Sequence, residues 1–337
     1  MSADGSQRLV NGNGYMRSAT GLIFATLAAL APLPALAHSL PKAELSIGIE
    51  GGSTAQWVIE AIAAQGLDEK HNLALDVHVL ADAAAKAALA AGEVDIIAAD
   101  FVWVSGQRSA GNKITMVPDA LASGGLIASS AGGVIELGDL KNATLAAAGG
   151  QSDTDWIVLN ADYSKSTGAP LATANFGPAA GINDLLANGG AQAGLNSWQW
   201  NARATDTTNV LSVQAMLTDL GVTEQPPFSG WAFSDATAKD KKVGLGQFLD
   251  AVFEANATLL SDDAAWNDLR ETMGTPDDAL FARLRDTYRA SIVSTYSPSA
   301  PAPAKAAFKL IAQFAGVESV GGKPALDAGT FWRGYRK

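Results

Sequence analysis

The chain has 337 residues, with 34 acidic side chains against 23 basic ones and no cysteine. A net charge of −11 argues against nucleic acid and anionic membranes as partners, since both are bound through Lys/Arg patches. The cysteine count excludes disulfides and a lipid-modified N-terminal cysteine.

Arg17 precedes an apolar run from Leu22 to Ala31, followed by Pro32-Leu33-Pro34 and Ala35-Leu36-Ala37. A basic flank, a short apolar core and an A-x-A ending are the parts of a secretory signal. The run is shorter than the roughly 20 residues that span a bilayer. The expectation is a signal peptide over 1–37, cleaved after Ala37, and a mature chain free in the periplasm. Met16 is an alternative start, because the stretch before Arg17 is long for a basic region. Residues 1–37 carry Asp4 against Arg8 and Arg17, so cleavage takes the net charge to −12. About 300 residues remain, more than one core usually holds, and two lobes are expected.

Ala43–Ile49 alternates and stops at Gly51-Gly52, which predicts a strand. Ser53-Thr54 opens a helix with Ala55, Val58, Ile59 and Ile62 on one face. Leu75–Leu80 reads as a second strand, Ala83–Ala91 as a helix ended by Gly92, and Val94–Ala98 as a buried strand. Ile114–Val117 reads as a strand stopped by Pro118. The rhythm restarts with a loop over 130–138, a strand at Thr144–Ala148, a helix from Ser152, a helix over Ala180–Leu186 and a strand at Ala191–Leu195. After Phe233 the chain turns helical over Leu245–Ser261, Asp263–Met273, Asp277–Ser291 and Ala304–Ala315, with a Pro/Ala/Ser linker from Pro298 to Pro303. Alternating strands and helices predict an α/β fold with parallel sheets. The expected lobes are 42–125 plus 230–337, and 126–229.

Ligands of open α/β sheets sit beyond the carboxyl ends of the strands. The candidates there are Gly51, Gly52, Ser53, Thr54 and Trp57; Asp100 and Trp103; Gly150, Asp153 and Trp156; Asn196 and Trp198; and Trp231 where the chain should cross back. Six of the eight tryptophans, at 57, 103, 156, 198, 200 and 231, fall in these segments. Indole offers a large apolar face and one donor, which suits a half-wet pocket, although core packing is the ordinary alternative for each. Trp57 lies off its helix's apolar stripe and is expected to face the cleft. Gly51–Thr54 offers backbone N–H groups for a polar or anionic group, or a plain N-cap. Ser152 and Asp155 match a capping box, Asp153 suits a helix dipole, and Asp100 is a ligand carboxylate or a cap.

His38, His71 and His78 fall outside these loops, and no motif for a nucleophile, a metal protease or a phosphate loop occurs. The expectation is a binding protein without catalysis, cofactor or metal.

The runs G-G-S-T-A-Q-W at 51–57, G-L-D-E-K-H at 66–71, A-A-L-A-A-G-E-V-D at 87–95, L-G-D-L-K at 137–141 and F-W at 331–332 resemble the nitrate/sulfonate/taurine group of ABC-transporter substrate-binding proteins, with the related thiamine-precursor binders. The resemblance spans 43–337. It implies a two-lobed periplasmic-binding-protein fold of type II, with the ligand cleft between lobes that close by hinge bending. It further implies a monomer whose partners are an ABC permease and ATPase in the inner membrane. It would place Gly51–Thr54, Trp57, Asp100, Trp103, Asp153 and Trp156 on the ligand. A small anion would call for Arg or Lys, and the loops offer tryptophans and aspartates instead, with Arg108 and Arg203 the nearest basic residues. The expected ligand is therefore flat or cationic, such as a pyrimidine-like or amine-bearing compound. A periplasmic sensor or delivery protein is the alternative reading. An enzyme like the fungal thiamine-pyrimidine synthases would need histidine and cysteine chemistry.

Overall fold

The computed structural model describes residues 41–122, 124–275, 277–297 and 302–337. The signal-like segment 1–37 and His38 lie outside the described residues, as does most of the Pro298–Pro303 linker. The strands along the chain are β1 (Ala43–Ile49), β2 (Leu73–Val79), β3 (Ile96–Asp100), β4 (Ile114–Leu121), β5 (Gly125–Ser129), β6 (Leu145–Ala148), β7 (Asn175–Gly177), β8 (Ala193–Asn196), β9 (Thr207–Ser212) and β10 (Pro227–Ser234). The helices are α1 (Thr54–Ala64), α2 (Leu67–Lys70), α3 (Asp82–Ala91), α4 (Phe101–Ser109), α5 (Thr154–Thr167), α6 (Ala179–Ala187), α7 (Trp198–Asn201), α8 (Val213–Leu220), α9 (Asp235–Asp240), α10 (Lys242–Ser261), α11 (Asp278–Ser291) and α12 (Ala302–Ala315).

Two five-stranded sheets result, ordered β2-β1-β3-β10-β4 and β7-β6-β8-β5-β9. Both follow one plan. Three parallel strands come first, β2-β1-β3 or β7-β6-β8. The fourth place is taken by an antiparallel strand, β10 or β5, and the fifth by an edge strand, β4 or β9. The edge strand β4 leads straight into β5 of the other sheet, and β9 leads through α8 back to β10. Each sheet's fourth strand is thus delivered by the other sheet's edge.

The sheets are mixed rather than purely parallel as expected. The strands β5, β7, β9 and β10 carried weak signals: β7 spans three residues, β9 is polar and half-exposed, and β10 opens on Pro226-Pro227 and contains Gly230. The strand expected to stop at Pro118 runs on to Leu121. Met116 on the same strand donates its N–H outward to the Thr330 carbonyl, not to β10. Pro118, two residues on, points its ring nitrogen the same way and so removes no bond from the β10 ladder. The segment Asp263–Met273, expected as a helix, holds only a 3-10 turn over Ala264–Leu269.

Helix starts are fixed by side chains that accept from backbone N–H groups: Ser53 for α1, Asp100 for α4, Asp153 for α5 and Asp277 for α11. The start expected at Ser152 moves to Thr154, because Asp153 rather than Ser152 is the cap. Fully buried Trp57, Trp231, Trp266, Phe101, Phe233, Phe248 and Phe308 anchor the core. At this size each aromatic removes a large apolar area from water. The helix α12 packs on α5 and α8. The 3-10 turn Val317–Val320 then meets α4, and Phe331 bridges Met116 on β4. No helix among the described residues is long and apolar enough to cross a membrane.

Candidate functional site

The ends of β3 and β6 are brought together by one carboxylate. Asp100 closes β3 and caps α4, and its Oδ1 accepts from the Trp103 N–H at 2.8 Å. The same oxygen accepts from the Thr154 hydroxyl at 3.0 Å. Thr154 opens α5, which follows β6, so this bond joins the two sheets. Asp153 caps α5 by accepting from the Asp155 N–H at 3.0 Å. Asp155 lies against the β4–β5 connection, where a Cβ on Gly124 would meet its Oδ2 at 2.4 Å.

One cation stands among these acids. Lys86 on α3 pairs with Asp82 at 2.7 Å and lies 5.2 Å from the centre of the Trp103 ring. Burial works against its charge, and Asp82, Asp100 and Asp153 more than offset it, leaving its pKa above the ordinary value. Burial raises Asp100 despite Lys86. Burial, less the pull of Lys86 and plus the push of Asp100, takes Asp153 up to about 6. Burial and then Asp153 and Asp100 drive Asp155 well above the carboxylate range. Lost hydration and then the Asp82 charge raise Glu50, which follows β1. Glu50, Asp82, Asp100, Asp153 and Asp155 therefore form one interacting acidic set around Lys86.

The two halves also touch through aromatic rings. Trp57 on α1 meets Trp198 on α7 edge-on at 5.7 Å and Tyr288 on α11 at 5.9 Å. Trp57 is fully buried, so it does not present a face to a wet cleft, and its Nε1 has no hydrogen-bond partner. Two arginines bridge the halves as well: Arg203 donates to the carbonyls of Gln199 and Met273, and Arg283 donates to the Ala202 carbonyl at 2.8 Å.

The remaining expected site residues divide between this region and the core. Ser53 donates to the Glu50 carbonyl and accepts from Gln56, and the Gly52 N–H is taken by Gln56 Oε1 at 2.7 Å. Gly51 and Thr54 flank that turn, with Gly51 exposed and Thr54 half-buried. Gly150 accepts the Asp153 N–H at 2.9 Å, and Trp103 is half-buried under Lys86. Asn196 is buried, tying its amide to the Ala179 carbonyl and the Ser197 N–H. Trp156 packs on Phe176 at 5.1 Å. Trp231 packs on Phe248 and donates to Asp119, so it belongs to the core. Arg108 is held by Asp235 at 2.9 Å and Asp327 at 2.8 Å. His71 pairs with Glu254, and His78 with Asp76.

Three acids of the set, Glu50, Asp82 and Asp155, and the central Lys86 were not singled out from the sequence as ligand candidates. Glu50 had a usable signal, since it directly follows a predicted strand. Asp82 and Lys86 have the i,i+4 spacing of any solvated helix pair, which hides them.

No model of a known family matches the chain, and no curated protein matches it. Solved structures do. The alkanesulfonate-binding protein of Xanthomonas axonopodis pv. citri, solved with MOPS, matches at a TM-score of 0.69 and 18% identity, covering 88% of this chain and 100% of that one. The ligand-binding component of an ABC-type import system from Staphylococcus aureus, solved with zinc, matches at 0.66 and 10% identity, covering 86% and 96%. A Candida albicans gene product described as having the generic periplasmic binding protein fold matches at 0.57 and 16% identity, covering 87% and 98%. Two five-stranded sheets joined by two chain crossings, superimposable on these structures over most of their length, give this chain the periplasmic-binding-protein fold.

Proposed function

We propose that this protein is a periplasmic solute receptor that delivers a small organic cation to an ABC importer. Its lobes are 42–125 plus 230–337 and 126–229, with α12 resting on the helices of the second lobe. Residues 1–37 direct its export. An inner-membrane permease and ATPase receive its cargo from the monomer. The fold shared with import-system components supports the receptor role.

The observation that carries the ligand class is the acidic set around Lys86. The starts of α4 and α5, where a helix would favour an anion, are already filled by the protein's own Asp100, Asp153 and Asp155. A sulfonate or nitrate would meet those carboxylates. An ammonium or a protonated heterocycle would meet them together with the Trp103 face.

The test is a thermal-shift screen of the purified protein. Benzylammonium, choline and 4-aminopyridinium are set against nitrate and ethanesulfonate. A true ligand at a hundred times its Kd stabilises by about 2.7 kcal/mol, several degrees or less in a protein of this size. Shifts with the cations alone support the reading. Shifts with nitrate or ethanesulfonate alone overturn the ligand class and leave the receptor role standing.

A further inference from the structure

Lys86 already enjoys the chemistry that an organic cation would seek. Its ammonium is 2.7 Å from Asp82 Oδ2, 5.2 Å from the centre of the Trp103 indole, and within the field of Asp100 from one sheet and Asp153 from the other. A π-face flanked by carboxylates is a general recognition device for ammonium groups. The two anchors of Lys86 are not equivalent. Asp82 is one turn away on its own helix, so that pair moves with α3. Trp103 and Asp100 belong to α4 and its cap, and Asp100 also holds Thr154 of the other sheet. The flexible four-carbon stem lets the ammonium leave the second pair while keeping the first.

We infer that Lys86 determines specificity as a tethered competitor: its ammonium holds the cation position at Trp103 and Asp100, and a ligand binds by displacing it toward Asp82. This rests on the cationic-ligand reading above. A cation that gains no more from the indole and the carboxylates than lysine does would win nothing by the exchange. The lysine thus rejects weakly attracted cations and admits those with a larger or flatter charged group.

The experiment is calorimetric titration of wild type, Lys86→Met and Lys86→Arg with benzylammonium, and separately with ethanesulfonate. Methionine keeps the bulk of the stem without the charge, and Lys86→Gln serves if the methionine variant does not fold. Removing the competitor should tighten benzylammonium binding about fivefold or more, whereas arginine, which keeps the charge, should not tighten it. A merely structural lysine would leave binding unchanged or weaker when lost. Detectable binding only in Lys86→Met also supports the inference. Equal or weaker binding in Lys86→Met, beside clear binding in wild type, overturns the competitor and leaves the cationic reading intact. Failure of wild type and the uncharged variant to bind benzylammonium overturns the cationic reading and the inference with it. Ethanesulfonate binding that is lost in Lys86→Met would make the lysine an anion contact and overturn both.

Discussion

Asp162 on α5 is fully buried, and neither carboxylate oxygen has a hydrogen-bond partner. Burial, and then the Asp219 charge, push its pKa to about 6 against the pull of Lys165. The folded chain therefore holds this proton more tightly than the unfolded chain, whose carboxyl titrates near 4. The stability it contributes is complete below pH 4 and is lost as pH rises through about 6. Asp162→Asn should raise the melting midpoint by several degrees at pH 8 and change it little at pH 4. Equal midpoints at pH 8 would mean that the carboxylate is solvated or paired in solution. Asp153, also near 6, works in the opposite sense for a cationic ligand. Its negative charge is lost as pH falls through that value, so benzylammonium affinity should drop up to about tenfold between pH 7.5 and pH 5. Titrations at the two pH values check this, and an affinity that rises on acidification would exclude Asp153 from the site.

At the scale of elements, β10 and the edge strand β4 approach very closely at one residue. A Cβ on Gly230 of β10 would lie 2.3 Å from the Val117 carbonyl oxygen and 2.5 Å from Pro118 Cα on β4. The ladder shifts register beside this residue. Gly230→Ala must push the strands apart, and urea unfolding should show a loss of about 1–3 kcal/mol. An unchanged midpoint would mean that the strands separate freely there. Legibility followed the same divide. The parallel strands β1, β3, β6 and β8, with the helices α1 and α5 that follow two of them, were readable because each pairs an apolar run with Gly, Ser or Asp punctuation. The crossovers were not, because they are short, polar or broken by Pro and Gly. Their stability comes from pairing with distant residues. Asp100 and Asp153 were singled out because they follow strands, and both fall in the acidic set. Lys86 was passed over because it reaches in from the side on α3. Tryptophan clustering misled in part, since Trp231 and Trp156 turned inward.

At the scale of the whole molecule, few polar contacts join the two halves near the acidic set, and the Thr154 hydroxyl on Asp100 is one of them. Thr154→Val keeps the shape and removes the donor. Small-angle scattering of the free protein should then give a larger radius of gyration than wild type. Superimposable curves would mean that other contacts hold the halves together. The double crossing of the chain between the sheets has a consequence for how it acquires this structure. The sheet β2-β1-β3-β10-β4 gains β10 only after the chain has run through every strand of the other sheet, and without β10 both β3 and β4 keep an open edge. Cutting the chain between 125 and 126 would separate β10 from β3 and β4 and leave the first fragment with two unpaired strand edges. Folding must therefore wait for contacts between residues about a hundred positions apart, such as Met116 with Ala232. A slow, single cooperative transition is what such distant pairing imposes.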